Sequence, residues 1–321
     1  MSDKRIVVFA GRHTEPMEQL MVDVCDPSLD LRFTEPCFAN KGEISDAEVL
    51  ITSGYKVSAE LMDTAPNLRM IENAGTGFSN IDLEAARERG IFACNCPNLN
   101  ATTTAEMTIA LMLACYRRIP MVDRRVKAGE WHKYTYRHDS YELYGKTIGI
   151  IGAGIIGKMV MERLAGWGVK LIYADPFRMS AELEEQYHAM YVDLETLCKE
   201  ADVISINCPL TPQTKNMINK ENLKLMKKTA IIVNEGRGAV INLDDLAWAL
   251  ENEIIWGAGI DVWEPEPVDP NSPLLKMEKV ITTSHLGGST REALVRVYTE
   301  ALDNAARLFR EGRPQNVQNG L

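Results

Sequence analysis

No stretch of this sequence stays apolar long enough to cross a bilayer. The longest apolar helical run, around Thr108 to Tyr116, falls well short of the roughly 20 residues a membrane span needs. The N-terminal run Ile6-Val7-Val8-Phe9-Ala10 is too short for a signal-peptide core and precedes no cleavage site, so it reads as a first strand. Cysteine is sparse and unpatterned. Seven residues at irregular positions, with Cys94 and Cys96 giving only C-x-C, resemble neither a disulfide framework nor a metal-ligand array. A reduced, cytoplasmic setting with no metal is the expectation. Basic residues are also in deficit: 35 Lys and Arg against 45 Asp and Glu give a net charge of -10, which argues against a nucleic-acid binder. An anionic substrate would therefore need a local basic site. Internal repeats and low-complexity segments are absent.

What the sequence does contain is a regular alternation. With 321 residues, two domains are expected, and 45% hydrophobic with 25% charged residues is ordinary for a globular chain. Short β-branched runs at Ile6–Ala10, Leu31–Thr34, Val49–Ser53, Leu68–Ile71 and Ile91–Cys94 are separated by helical patterns, which predicts a parallel sheet. A long helix is expected from about Thr103 to Ala128, followed by a polar, aromatic segment from Trp131 to Tyr144. A second βαβ series then opens at Lys146–Ile151. Its later strands read as Leu171–Ala174, Val203–Asn207, Ala230–Asn234, Gly257–Ile260 and Val280–Thr283, and a helix from about Ser289 to Glu311 closes the chain. The fold class is α/β.

Gly152-Ala153-Gly154-Ile155-Ile156-Gly157 joins a buried-strand pattern to a helical one, the context a dinucleotide fingerprint requires. Gly152 permits a tight turn, Gly154 lets the backbone approach a pyrophosphate, and Gly157 allows close helix–strand packing, with free N–H groups facing the phosphates. The next strand ends at Asp175, 18 residues beyond Gly157, where a carboxylate meets the adenosine ribose. That carboxylate repels the 2′-phosphate of NADP, and the nearest cation, Arg178, lies beyond Pro176, so NAD is expected.

Three later strand ends carry polar clusters: Asn234-Glu235-Gly236-Arg237-Gly238, Asp261-Val262-Trp263-Glu264-Pro265-Glu266-Pro267 and Thr282-Thr283-Ser284-His285-Leu286-Gly287-Gly288. Ligands of open α/β sheets bind at the carboxyl ends of strands. With Asn73-Ala74-Gly75-Thr76-Gly77-Phe78-Ser79-Asn80-Ile81-Asp82, Asn95-Cys96-Pro97, Thr104-Ala105-Glu106 and Cys208-Pro209-Leu210-Thr211, the sequence closely resembles the D-isomer-specific 2-hydroxyacid dehydrogenases over nearly its full length.

The resemblance implies NAD-dependent hydride transfer at C2 of a small 2-hydroxy or 2-oxo acid. Arg237 would anchor the substrate carboxylate, with His285 as acid/base and Glu266, 29 residues after Arg237, as the histidine's partner. Glu264 competes for that last role but is expected to face solvent. The cofactor set it implies is Thr104, Gly152, Gly154, Ile155, Ile156, Gly157, Asp175, Cys208, Pro209, Thr214, Gly236, Asp261, Gly287 and Gly288, while Gly75, Thr76 and Gly77, with Arg237 and His285, would bind substrate. Asp261 would lie near the nicotinamide carboxamide or simply cap its strand. The chemistry agrees: ketone reduction needs a proton, a carboxylate beside a histidine keeps it able to donate, and a guanidinium holds a carboxylate through two parallel hydrogen bonds.

The resemblance also implies two doubly wound parallel-sheet domains, a Rossmann cofactor domain (101–288) inserted into a flavodoxin-like substrate domain (1–100 and 289–321). It further implies a hinged cleft and a homodimer in which the long helix from Thr103 is a candidate interface. Thr52 stands where phosphoglycerate dehydrogenases carry an arginine, and the chain ends at Leu321 without a regulatory extension, so 3-phosphoglycerate is the weaker substrate. Lys56, Arg12 and His13 are anion-binding alternatives, each expected at the surface. A formate-dehydrogenase-like enzyme is disfavoured because such enzymes pair their histidine with glutamine, and a nucleotide-sensing corepressor on this fold is separable only by turnover.

Overall fold

The computed structural model describes residues 4–35 and 41–321. The chain divides into two compact units, Met1–Asn100 with Ser289–Leu321, and Ala101–Gly288.

The first unit holds β1 (Arg5–Ala10), β2 (Leu29–Thr34), β3 (Val49–Thr52), β4 (Met70–Asn73) and β5 (Phe92–Asn95), all parallel in the order β2-β1-β3-β4-β5. Every residue of β3 and β4 is buried, as in a sheet covered on both faces. The C-terminal helix Arg291–Glu311 covers one face with Val297, Tyr298, Ala301, Leu302 and Ala305, so the end of the chain completes the core that its beginning starts. The order reverses between β1 and β3, and at such switch points the loops diverge to leave a crevice.

The second unit holds β6 (Thr147–Ile151), β7 (Lys170–Ala174), β8 (Ala189–Tyr191), β9 (Val203–Ile206), β10 (Ile231–Asn234), β11 (Gly257–Ile260) and β12 (Val280–Thr282), parallel in the order β12-β11-β10-β9-β6-β7-β8. Counted within the unit this is 3-2-1-4-5-6-7, with its switch point between β6 and β9. β8 is a three-residue edge strand with two exposed side chains, too short to carry a sequence signature.

The expected helix from Thr103 to Ala128 is two helices, Ala101–Arg117 and Ile119–Lys127. Pro120 explains the break. Its ring displaces the carbonyl four residues back and disfavours helical geometry at the residue before it. Arg118 answers by turning left-handed at φ 53°, and the helix restarts with the proline in its first turn. Ten side chains of the first helix, among them Thr104, Met112 and Tyr116, are buried in this unit. That helix is therefore chiefly a core element. The exposed aromatic groups Trp131, Tyr134 and Tyr144 stand on the segment that follows.

Candidate active site

In the second unit the glycine-rich turn leaves β6 and enters the helix Ile155–Leu164. Gly152 has φ 93°, and a methyl group on it would stand 2.7 Å from the Cys208 backbone nitrogen. A methyl on Gly157 would collide with the Gly152 carbonyl, so the helix touches the strand only because neither residue has a side chain. Gly154, by contrast, faces open space, and its helix begins without a side-chain cap, leaving amide hydrogens presented to an anion. Ile155 is exposed and Ile156 half-buried on the first turn.

Asp175 follows β7 directly. Its Oδ2 accepts from the Ala153 N–H at 2.7 Å and its Oδ1 from the Phe177 N–H at 2.8 Å, tying the fingerprint turn to the neighbouring strand end. Arg178 is committed elsewhere, forked onto Glu184 through Nε and Nη2 at 2.9 Å each.

Beyond the switch point, Cys208 is buried, Pro209 is exposed, and the Thr214 hydroxyl closes the loop by donating to the Pro209 carbonyl at 2.7 Å while accepting from the Thr211 N–H. A methyl on Gly236 would stand 2.7 Å from the Cys208 carbonyl. The ends of β6, β9 and β10 are thus in backbone contact. Thr104 belongs to a different element: it is buried on the helix Ala101–Arg117, where its carbonyl accepts the Thr108 hydroxyl.

Asn234 shapes the turn that presents Arg237. Its Nδ2 donates to the Arg237 carbonyl and its Oδ1 accepts from the Gly236 N–H, both at 3.0 Å. A methyl on Gly238 would overlap the Trp263 carbonyl, so the β10 and β11 ends are locked together. On the β11 side the Trp263 N–H donates to Glu266 Oε1 at 2.9 Å, and Glu266 Oε2 meets His285 Nδ1 at 2.8 Å. Of the two candidate carboxylates it is Glu266, and not the exposed Glu264, that reaches the histidine.

The hydrogen bond to Glu266, and secondarily its charge, raise the His285 pKa above 6.5 against the opposing effects of burial and of Arg237. Burial alone would raise the pKa of Glu266, but the bonds from His285 and the Trp263 N–H, with the nearby charges of His285 and Arg237, bring it below the usual carboxylate value. Arg237, Glu266 and His285 are therefore within electrostatic reach of one another.

Asp261 is fully buried and holds the loop that carries His285. Its Oδ1 accepts from the Thr283 hydroxyl at 2.5 Å and the Leu286 N–H at 2.8 Å, its Oδ2 from the Gly287 N–H at 2.8 Å, and its carbonyl from the His285 N–H at 2.8 Å. His285 itself is left-handed, φ 57°. Gly287 is buried and Gly288 half-buried. Thr283 and Trp263, whose indole donates to the Thr283 carbonyl at 2.9 Å, stiffen the same loop without having been singled out by sequence.

In the first unit, Gly75, Thr76 and Gly77 follow β4 and are far from a slack turn. Asn73 Nδ2 donates to the Gly77 carbonyl and Asn95 Nδ2 to the Thr76 carbonyl, both at 2.6 Å, and the Cys96 N–H donates to the Gly75 carbonyl at 3.0 Å. With the carbonyls consumed, the N–H groups of Thr76 and Gly77 are without partners among the described residues. Of the alternative anion binders, Arg12 and Lys56 are exposed, but His13 is half-buried, with Nδ1 on the Gly11 carbonyl and Nε2 on Glu18. Thr52 is wholly buried.

Residues 109–287 match the description "D-isomer specific 2-hydroxyacid dehydrogenase, NAD binding domain". The chain belongs to this family. Its second unit is accordingly an NAD-binding domain, and the open Gly154 turn and the Asp175 carboxylate fit that cofactor. Relatives of this dehydrogenase-family chain include a glyoxylate reductase of Thermococcus litoralis, 43% identical over 78% of this chain and 76% of that one. A D-3-phosphoglycerate dehydrogenase of Methanocaldococcus jannaschii is 41% identical over 86% of this chain, which spans about half, 52%, of that relative's length. Among solved structures, D-lactate dehydrogenase from Aquifex aeolicus, complexed with NAD and lactic acid, is 29% identical with a TM-score of 0.81 over 95% of this chain and 96% of its own. Among the described residues no helix is long and apolar enough to cross a membrane, and no cluster of metal-ligating side chains occurs.

Proposed function

We propose that the chain is an NAD-dependent D-2-hydroxyacid dehydrogenase whose reverse reaction reduces 2-oxo acids at C2. The observation that carries this reading is the Glu266–His285 hydrogen bond at the strand ends that also bear Arg237. NADH, when bound, supplies the hydride. Gly152, Gly154 and Gly157 with the first-turn amides of Ile155 and Ile156 would receive its pyrophosphate, and Asp175 its adenosine ribose. The loops at Cys208, Pro209 and Thr214, at Gly236, and at Gly287 and Gly288, together with Thr104 and with Asp261 near the nicotinamide carboxamide, would complete the cofactor set. The commitment of Arg178 to Glu184 supports NAD over NADP, because a 2′-phosphate beside Asp175 would have to compete with Glu184 for that cation.

Arg237 would hold the substrate carboxylate in a two-pronged hydrogen bond and polarise the C2 carbonyl. His285, its Nδ1 turned to Glu266, would deliver the proton from Nε2 to the carbonyl oxygen as the alcohol forms and remove it in the oxidation. The partnerless amides of Thr76 and Gly77 in the Gly75 loop are donors for a substrate carboxylate. A cytoplasmic homodimer completes the reading. Six unpaired cysteines among the described residues support the first part. The exposed Trp131 and Tyr144, on a cleft of about 810 Å³ with Arg125 and Lys133, support the second.

Purified protein should oxidise NADH with glyoxylate, hydroxypyruvate or pyruvate. Replacing His285 or Arg237 by Ala should lower kcat/KM by about 10²–10⁴-fold with the fold intact, as loss of a general acid or a substrate anchor does. A broad 2-oxo acid panel that shows NADH binding and no turnover would overturn the reading in favour of a nucleotide sensor.

A further inference from the structure

Glu235 stands one residue beyond β10 with 6% of its surface exposed, and the hydride-transfer reading gives it nothing to do. Its carboxyl meets that of Asp261, from the next strand, beside the Cα of Gly287. A methyl group there would overlap Glu235 Oε2 and lie 3.1 Å from Asp261 Oδ2. Glu235 Oε1 is buried without a hydrogen-bond partner. Two carboxyl groups sharing one dry space do not both ionise, so one keeps a proton.

Which one keeps it follows from the donors. Asp261 accepts three hydrogen bonds, from the Thr283 hydroxyl and the Leu286 and Gly287 amides, and all three favour its anion. Glu235 receives none among the described residues. Burial first, then the charge of Asp261 and the hydrogen bond to it, push its carboxyl up to about 9. Among the described residues Asp261 is the charged group that acts on Glu235, and Asp261 in turn acts on His285, alongside Glu266 and Arg237.

We propose that Glu235, kept as a neutral carboxylic acid, is a positioning residue for His285: its O–H donates a hydrogen bond to Asp261, whose carboxylate fixes the loop from Thr283 to Gly287. This rests on His285 being the acid/base of the proposed dehydrogenase. Once Glu235 ionises, a second buried anion faces Asp261, the donated hydrogen bond is lost, and the added charge holds the proton on His285.

The test uses the whole chain and three forms, wild type, E235Q and E235A. In the oxidative direction with saturating NAD and D-lactate or D-glycerate, wild-type kcat should rise as His285 loses its proton and fall again at about pH 9 as Glu235 does. Glutamine keeps a donor and cannot titrate, so E235Q should retain the rise and lack the fall. E235A lacks the donor and should lose about tenfold or more in kcat with KM little changed, the scale of one buried hydrogen bond. Identical alkaline limbs in wild type and E235Q would overturn the proposal.

A second readout needs no turnover. The His285 ring, identified by NMR as the signal that H285N removes, should titrate in two steps in the wild type and in one in E235Q. Two steps without turnover would remove the dehydrogenase reading and leave the coupling standing. Turnover with one step in both forms would remove the coupling alone. If E235A fails to fold, the comparison of wild type with E235Q still decides.

Discussion

Glu72, on β4, offers a test of the first unit's core that is independent of any reaction. It is fully buried, with Oε2 accepting from Asn304 Nδ2 of the C-terminal helix at 2.7 Å and Oε1 from Cys96 Sγ at 3.4 Å. Burial pushes its carboxyl from 4.5 up to about 8, more than these two donors restore. A raised pKa contributes stability that is complete below 4.5, declines as pH rises toward 8 and is gone above it, because the folded chain holds a proton the unfolded chain has released. At about 1.36 kcal/mol per pH unit, that interval sets a ceiling of about 5 kcal/mol.

Glu72→Gln keeps the shape and removes the titration. Below the window the wild type should be the more stable by about 1 kcal/mol, since the amide replaces one acceptor with a donor. Above about pH 8 the variant should lead by several kcal/mol, with every other carboxyl cancelling in the difference. All five tryptophans lie between residues 131 and 263, in the other unit, so their fluorescence would miss the event. Hydrogen exchange of the β4 and β5 amides reads it directly. A difference between the two proteins that stays flat from acid to alkaline pH would refute the reasoning.

Three further outcomes follow from the second unit. Glu266→Gln removes the charge and leaves at most a neutral acceptor where a charge-assisted hydrogen bond raises the His285 pKa, so the pH at which 2-oxo acid reduction falls off should move down, read from kcat against pH. Asp175→Ser should raise the NADPH-to-NADH ratio of kcat/KM about tenfold or more by removing the repulsion of a 2′-phosphate, while weakening both cofactors because Ala153 and Phe177 lose an acceptor. Gly157→Ala forces the helix off the Gly152 carbonyl and should cost about 1–3 kcal/mol in denaturant unfolding and raise the KM for NADH.

The alternation of β-branched runs and helical patterns made both parallel sheets readable, because strands such as β3 and β10 are buried at every position and leave little ambiguity. Three kinds of feature were not readable. β8 is an edge strand of only three residues, shorter than the run that a strand pattern needs to show itself. The break at Arg118 was signalled by Pro120 but masked by good helix formers on both sides. The partners of Asp261 all lie on the loop after β12, 22 to 26 residues further along the chain, so nothing in the local sequence around Asp261 tells that Thr283, Leu286 and Gly287 meet its carboxylate. Glu235 was visible within its cluster, yet an acid beside Gly236 and Arg237 acquires meaning only once sheet order places β11 next to β10.

Glu266 is gripped at both ends, one oxygen on the Trp263 amide and the other on the imidazole. A carboxylate so held does not swivel, and the ring it faces has one corner left for chemistry. On the proposed reading, the direction of the proton-donating nitrogen is set before any substrate arrives, and 2-oxo acids that differ beyond C2 would meet the same donor in the same place.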